Sequence, residues 1–360
     1  MNKKIKVGIV GIGGIGRGVH LESWTTNPDV EVVALCDILI ERAQNAAEKY
    51  NIPYVFDNYK DLIALDEIDV VDICTPNKFH SIIAVDSLNA GKNVLCEKPD
   101  AMNYDEVLKM KEAYEKSGKL LIVMRNNRFT AESMFVKKYI EAGKMGEIYY
   151  AKCGWVRRRG IPGKGGWFTT KELSGGGPLI DLGVHMMDLT VWLMGNPRPV
   201  SVVGSTYSKF GESSTQADSE NSKFGDSKSD GIYNVEDLAT GYIKFDNGAT
   251  MVIEFSWAEN IETENRYYEL MGTKAGAKWH SAYNNGKLTI YGEEQGITTN
   301  IAPNFKKSGK REQHAGNIDH VVDCLMGRSK PVFLPQQGVD MIGIISAIYK
   351  SAETGKEIML

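Results

Sequence analysis

Asp181 and His185 stand four residues apart in GGGPLIDLGVHMMDLTVWLMG, Gly175 to Gly195, a segment that opens on a glycine run and continues as an apolar helical pattern. One helical turn would place both side chains on one face. An imidazole there can take the proton of an alcohol as hydride leaves its carbon, and a nearby carboxylate can orient the ring and stabilise its charged form. A capping and helix-stabilising pair would have the same spacing. Asp188 follows three residues on, but D-x-x-x-H-x-x-D matches no strong zinc signature and no cysteine supports it, so no metal is expected. A second chemical candidate is Lys98 in NVLCEKP, where an ammonium can hydrogen-bond a substrate oxygen and favour its negative charge in the transition state. Glu97 could hold Lys98, and Pro99 could set its backbone in an unusual geometry, cis included.

A cofactor signal lies at the amino end. Gly11, Gly13 and Gly16 form G-x-G-x-x-G between the apolar run IKVGIV and a helical stretch, with Gly14 and Ile15 inside the motif. The first glycine permits a tight turn, the second admits a pyrophosphate, and the third lets helix and strand pack closely. Asp37 closes the next strand, 21 residues past Gly16, where a carboxylate binds the adenosine ribose hydroxyls and repels a 2′-phosphate. NAD is therefore favoured over NADP. Thr75, Pro76, Asn77 and His80 end one predicted strand and open a helix, and Glu97 and Lys98 end another. Strand ends of this kind are where ligands bind in a parallel sheet.

The elements that must position these groups are legible as alternating patterns. Apolar runs at residues 5–10, 30–37, 70–76, 93–99 and 120–126 alternate with helical stretches reaching Thr25, over Ile40 to Tyr50, around Leu62, over 79–90, and from Tyr104 to Ser117. Near-continuous apolar strands separated by helices predict a doubly wound parallel sheet over residues 1–125. Residues 126–360 read differently. IYYAKCGWV, PVSVVGSTY, LATGYIKF and ATMVIEFSW are longer, partly alternating runs with little helix between them. They predict an α+β domain with a large, mostly antiparallel open sheet. The polar stretch from Gly211 to Gly231 reads as a long surface excursion, and GVDMIGIISAIYKSAETGK as a helix closed by glycine.

The loop GWVRRRGIPGKGGWF, Gly154 to Phe168, offers Trp155, Arg157, Arg158, Lys164 and Trp167 for a polyol or sugar: rings for C–H faces, cations for hydroxyls or an anionic group. A solvated loop with core tryptophans is the plain alternative. Arg125 and Asn126, ending the last strand of the first domain, are placed with this substrate set. Glu236, Asp237, Trp257 and Tyr268 are further candidates for lining the cleft. With 42 Lys and Arg against 46 Asp and Glu, the formal charge of -4 gives no general positive field, which disfavours nucleic acid and anionic lipid as partners. The five cysteines lie at least 22 positions apart, read best as buried free thiols, and with the lack of a membrane-length apolar run or export signal predict a cytoplasmic protein.

Taken together, Gly11-x-Gly13-x-x-Gly16, Thr75-Pro76-Asn77 with His80, Ala90-Gly91-Lys92 through Cys96-Glu97-Lys98-Pro99, Asn126 to Phe129, Asp181-Leu-Gly-Val-His185 and the terminal SAETGKE resemble the Gfo/Idh/MocA-type oxidoreductases. The resemblance spans essentially the whole chain. It implies an N-terminal Rossmann domain, and a C-terminal α+β domain whose open sheet forms a homodimeric or homotetrameric interface. It also implies a sugar or cyclitol substrate, with Lys98, Asp181 and His185 as the catalytic group. The WVRRRGIPGKGGWF loop and the 211–231 stretch depart from the family pattern and would shape substrate choice. The main alternative is a glycosidase that retains NAD and uses transient oxidation to ease elimination of the aglycone. A reductase of biliverdin-like, imine or dihydrodiol substrates and a non-enzymatic sensor are the others.

Overall fold

The computed structural model describes residues 4–211, 225, 227–305 and 309–360. The chain divides into two units, one of Met1–Phe129 with Lys310–Val339 and the other of Thr130–Gly309 with Asp340–Leu360. The return of residues 310–339 to the first unit is a feature that a single boundary at 125 does not contain.

The first unit is built on β1 (Ile5–Val10), β2 (Val30–Cys36), β3 (Tyr54–Phe56), β4 (Val70–Ile73), β5 (Asn93–Cys96) and β6 (Leu121–Val123). Between them run α1 (Leu21–Thr25), α2 (Ile40–Tyr50), α3 (Tyr59–Ile63), α4 (His80–Asn89) and α5 (Tyr104–Ser117). The strands lie in the order β3-β2-β1-β4-β5-β6 and every neighbouring pair is parallel. Burial on both faces explains why β4 reads VVDI and β6 LIV with no alternation, and it makes Asp72 an acidic residue inside the sheet layer. Because β2 and β4 flank β1, the topological switch falls beside β1, at the carboxyl ends where ligands bind such sheets. Helix ends follow local rules. In α5, Asn103 accepts from the Glu106 N–H at 3.0 Å while its amide donates to the Glu106 carboxylate, and Gly118, at φ 63°, closes the helix. The strand runs expected to reach 76, 99 and 126 stop three residues early, so that Thr75-Pro76, Glu97-Lys98-Pro99 and Arg125-Asn126 fall in strand-end loops. The short edge strand β3 carries too few residues to show a periodicity.

The second unit contains α6 (Ala131–Glu141), β7 (Ile148–Val156), α7 (Lys171–Ser174) and α8 (Val184–Leu193). Then come β8 (Pro199–Tyr207), β9 (Leu238–Phe245), β10 (Thr250–Ser256), β11 (Asn265–Gly272), β12 (Ala275–His280), β13 (Thr289–Glu294) and β14 (Ile297–Ile301). After α9 (Gln313–Leu325) and α10 (Pro335–Thr354), the short β15 (Ile358–Met359) completes a sheet of order β14-β13-β12-β11-β7-β10-β9-β8-β15. All its neighbours are antiparallel except β7 and β10. One face buries Ala151, Cys153, Ile253, Phe255 and Leu270, with α8 packed on β7 and β11. On β8, β9 and β10 the cross-strand neighbours Val203, Tyr242 and Val252 are exposed. The alternation seen in the sequence is thus a sheet with one packed and one open face. Most of the stretch from Gly211 to Gly231, residues 212–224 and 226, lies outside the described residues.

In the first unit, α9 packs on α1 and on the turn Asn126–Phe129, bringing Ile318, Val321 and Val322 into a core with Ile12, Leu21 and Trp24. No helix among the described residues is long and apolar enough to cross a membrane. All five cysteines are free; Cys36, Cys74, Cys96 and Cys153 are buried and Cys324 partly so.

Candidate active site

Two π-helical turns mark the segments that the sequence singled out, Gly16–His20 leading into α1 and Leu179–Gly183 leading into α8. Such turns are rare and occur often at functional sites.

In the glycine loop each glycine has a separate cause. Gly11 has φ +97°, and a Cβ there would stand 2.6 Å from the Cys74 carbonyl. A Cβ on Gly16 would collide with the carbonyl oxygen of Gly11. At Gly13 and Gly14 nothing lies within 4 Å of the Cβ position, so these two are free of packing demands and border open space at the sheet's switch. Asp37, 8% exposed, accepts from the Ile12 N–H at 2.8 Å and from the Leu39 N–H at 2.9 Å. Its carboxylate therefore pins the loop as well as ending β2.

At the neighbouring strand ends the structure sorts the expected cofactor contacts. The Thr75 hydroxyl and the Asn126 side-chain carbonyl are buried polar atoms without a hydrogen-bond partner. His80 does not present its ring to a ligand: it is fully buried, with Nδ1 2.8 Å from the Pro99 carbonyl and Nε2 2.8 Å from that of Thr75. Burial lowers its pKa, and it ties together the two loops that carry Thr75 and Lys98. Asn77 is buried as well. The Lys98–Pro99 peptide bond is cis. Glu97, 5% exposed, turns Oε2 back to accept the Lys98 N–H at 3.0 Å and Oε1 to His20 Nε2 at 2.7 Å. Arg125, expected with the substrate set, is 4% exposed, bonded to Asp100 at 2.5 Å and stacked over Phe333. It serves the interior of the first unit, because a guanidinium this buried requires an acidic partner.

In the second unit Asp181 lies in the π-helical turn and His185 in the first turn of α8, both half-buried. Asp181 Oδ2 accepts from Trp257 Nε1 at 3.0 Å, and the rings of Trp155 and His185 lie 5.8 Å apart. Trp155 donates to Glu264 at 2.6 Å, and the guanidiniums of Arg157 and Arg266 stand 5.0 Å from its ring centre. The remaining loop candidates have other partners. Arg158 is exposed with its guanidinium on the Glu262 carbonyl, Trp167 stacks on Phe168 at 3.8 Å, and the backbone carbonyl of Lys164 accepts from Lys228 N. Glu236, expected in the cleft, instead anchors the glycine run by accepting from the N–H groups of Gly177 and Leu179 and the Tyr349 hydroxyl, while burial raises its pKa. Asp237 caps the chain at Lys209, Phe210 and Gly211, and Trp257 and Tyr268 are core residues, the former touching Asp181 through its indole N–H.

The sequence reading missed His20 and Asp72. His20 is fully buried, with Nδ1 2.8 Å from Asp72 Oδ2, which also accepts from Trp24 Nε1 at 2.7 Å. Ligand-type atoms gather within 4.8 Å in two sets sharing His20, with Glu97 and His314 and with Asp72 and Cys74, although a metal there would have to displace the ring's hydrogen bonds. No local pattern announces these contacts, since Asp72 and Glu97 are 52 and 77 residues from His20.

A family model described as oxidoreductase family, NAD-binding Rossmann fold, matches residues 5–125, and its companion, the oxidoreductase family C-terminal alpha/beta domain, matches residues 137–360. The chain belongs to the Gfo/Idh/MocA oxidoreductases. Over 361 aligned residues it is 33% identical to a D-glucoside 3-dehydrogenase of Escherichia coli (strain K12), covering 99% of this chain and 97% of that one. Among solved structures it is similar to an oxidoreductase domain protein from Kribbella flavida (TM-score 0.84, 22% identity, 99% of each chain). A levoglucosan dehydrogenase in complex with NADH gives the same TM-score at 21% identity, again over 99% of each chain. The protein is an NAD-dependent oxidoreductase of this family. Its residues fit that cofactor: the open space at Gly13 and Gly14 suits a pyrophosphate, Asp37 a ribose, and the orphaned Thr75 and Asn126 atoms a polar group at the strand ends.

Proposed function

We propose that this oxidoreductase transfers hydride reversibly between a secondary alcohol of a sugar, glycoside or inositol and NAD. The observation that carries this reading is the full-length likeness to a D-glucoside 3-dehydrogenase. Bound NAD supplies the hydride acceptor. Of the chain's own groups, His185 takes the hydroxyl proton, Lys98 hydrogen-bonds the same oxygen and stabilises its developing charge, and Asp181 orients His185 or a neighbouring substrate hydroxyl. The bond from Trp257 to Asp181 fixes the carboxylate, and the Trp155 ring near His185 offers an apolar face for a pyranose. The bond of Trp257 to Asp181 and the contact of Trp155 with His185, one helical turn further on, support these roles. The exposed Val203, Tyr242 and Val252 support a homo-oligomer formed through the open sheet face.

The test is absorbance at 340 nm with NAD across inositols, aldoses, sugar acids, methyl β-D-glucoside and larger glycosides, with product analysis by mass spectrometry, and the reverse reaction with NADH and methyl 3-ketoglucoside. Substrate-dependent NADH formation supports the reading. Glycoside cleavage without net NADH replaces it with the NAD-retaining glycosidase, and silence in both directions overturns it. Lys98→Ala should lower turnover by about 100-fold or more while NAD affinity holds, because its role lies in the transition state. Native turnover in this variant removes Lys98 from the chemistry.

A further inference from the structure

Among the described residues, a buried cluster of ionisable groups meets the Lys98 backbone through Glu97. His20 and Asp72 are fully buried, and Glu97 is nearly so. One ring nitrogen of His20 lies 2.8 Å from Asp72 Oδ2 and the other 2.7 Å from Glu97 Oε1. Ionised carboxylates only accept hydrogen bonds, and a neutral imidazole has a single N–H, so with both carboxylates ionised the two contacts are hydrogen bonds only when both ring nitrogens carry protons. A protonated carboxyl would serve less well. Asp72 Oδ2 already accepts from Trp24, a proton on Asp72 Oδ1 would be a buried hydroxyl with no partner, and a proton on Glu97 Oε1 is opposed by the cations around that carboxyl, which hold its pKa low.

The other groups facing the ring agree. Cys74, at the end of β4, is a buried thiol raised to about 12 by burial, and His314 of α9, its ring 5.9 Å from that of His20, is lowered mainly by its own burial. His314 Nε2 also lies 3.7 Å from Glu97 Oε1, and His314 and Lys98 both act to lower the Glu97 pKa. Burial by itself would lower the His20 pKa, but the charge of Asp72 and the Asp72 hydrogen bond hold it well above the ordinary histidine range. Burial would likewise raise the Glu97 carboxyl, and the His20 hydrogen bond and charge instead hold it well below the usual carboxylate range.

We propose that His20 is an imidazolium bridge between Asp72 and Glu97 and a positioning residue for Lys98: it keeps Glu97 ionised and aimed at the Lys98 backbone N–H. This rests on the assignment of Lys98 to the chemistry. With Glu97 fixed at both oxygens and His80 holding the Pro99 carbonyl, the Lys98 backbone is clamped from either side through a buried histidine. In His20→Gln the carboxylate loses its hydrogen-bonded counter-charge and keeps only His314 and Lys98 nearby, so Glu97 takes up a proton at a higher pH than the native group does.

Selective 15N-histidine labelling of the full chain, which has six histidines, reads the bridge directly, with His20→Gln assigning the signal. The expected result is both His20 nitrogens protonated at about pH 8.5, where a free imidazole is neutral. A singly protonated ring overturns the bridge. For the positioning role, reduction of methyl 3-ketoglucoside by NADH is followed from about pH 8 to 6, the direction in which His185 donates its proton, so that its protonation on the acid side removes no activity from the native enzyme. His20→Gln should gain an acid limb, losing about tenfold or more by pH 6 with NADH affinity within about threefold of native. If His20→Gln fails to fold, Glu97→Gln, which keeps the shape, should lose about tenfold or more at every pH, again without loss of NADH affinity. A variant that turns over like the native enzyme with the same pH profile overturns the positioning role. If instead Lys98→Ala is fully active while His20 is doubly protonated, the assignment of Lys98 fails and the bridge stands.

Discussion

Paired alanine substitutions in the glycine loop separate what folding demands from what the cofactor demands. At Gly11 the backbone has φ +97°, and an added Cβ would stand 2.6 Å from the Cys74 carbonyl carbon and oxygen and 2.9 Å from the Thr75 nitrogen, inside the 3.0 Å that real Cβ atoms essentially never breach. These atoms are backbone, so the strand ends themselves would have to part. Left-handed strain adds about 1–2 kcal/mol and overpacking about 1–3 kcal/mol, which makes Gly11→Ala about 2–5 kcal/mol less stable. In a unit of this size that corresponds to a melting point lower by about 5–15 °C. Gly13→Ala meets nothing within 4 Å and needs no positive φ, so stability should hold or rise by about 0.4–1 kcal/mol through the unfolded state. Its methyl group would instead occupy the pyrophosphate's approach. Loss of one charged hydrogen bond, about 1.5–3 kcal/mol, weakens NAD binding by about 10- to 150-fold. Scanning calorimetry without nucleotide and isothermal titration with NAD measure the two effects. A Gly13→Ala protein that binds NAD like the native one, or a Gly11→Ala protein that melts with it, refutes this division of roles.

Asp37→Ala should weaken discrimination against NADP, as its carboxylate no longer repels a 2′-phosphate, and should also lower affinity for NAD because the Ile12 and Leu39 N–H groups lose their acceptor; an unchanged preference in a binding titration removes Asp37 from the ribose site. Trp257→Phe keeps the buried ring but deletes the N–H that meets Asp181 at 3.0 Å, so kcat should fall by about 3- to 30-fold with little change in NAD affinity. Steady-state kinetics beside an NAD titration checks it, and an unchanged kcat would show that Asp181 does not depend on this bond.

Much of the fold was legible because its signals are local. Apolar strand runs, helix caps such as Asn103 with Glu106, and the Gly-x-Gly-x-x-Gly turn depend on residues within a few positions of one another. The same holds for Asp37 at the end of β2 and for the spacing of Asp181 and His185. Side chains whose partners are far along the chain were read less well. By type and position Arg125 suits a ligand-binding cation, His80 a ligand contact and Glu236 a cleft residue, but Arg125 pairs with Asp100, both His80 ring nitrogens meet carbonyls, and Glu236 holds the N–H groups of Gly177 and Leu179.

The sequence by itself determined the two-domain architecture, the dinucleotide turn and the candidate reacting groups, since periodicity and spacing encode which backbone forms and which side chains share a face. Only the tertiary structure decided which polar residues are committed to the interior. His20, Asp72 and Glu97 come from three separate stretches of chain, and their meaning depends on being removed from water together. In that setting an uncompensated charge is costly, so the network of partners, rather than residue type, fixes the role of each group.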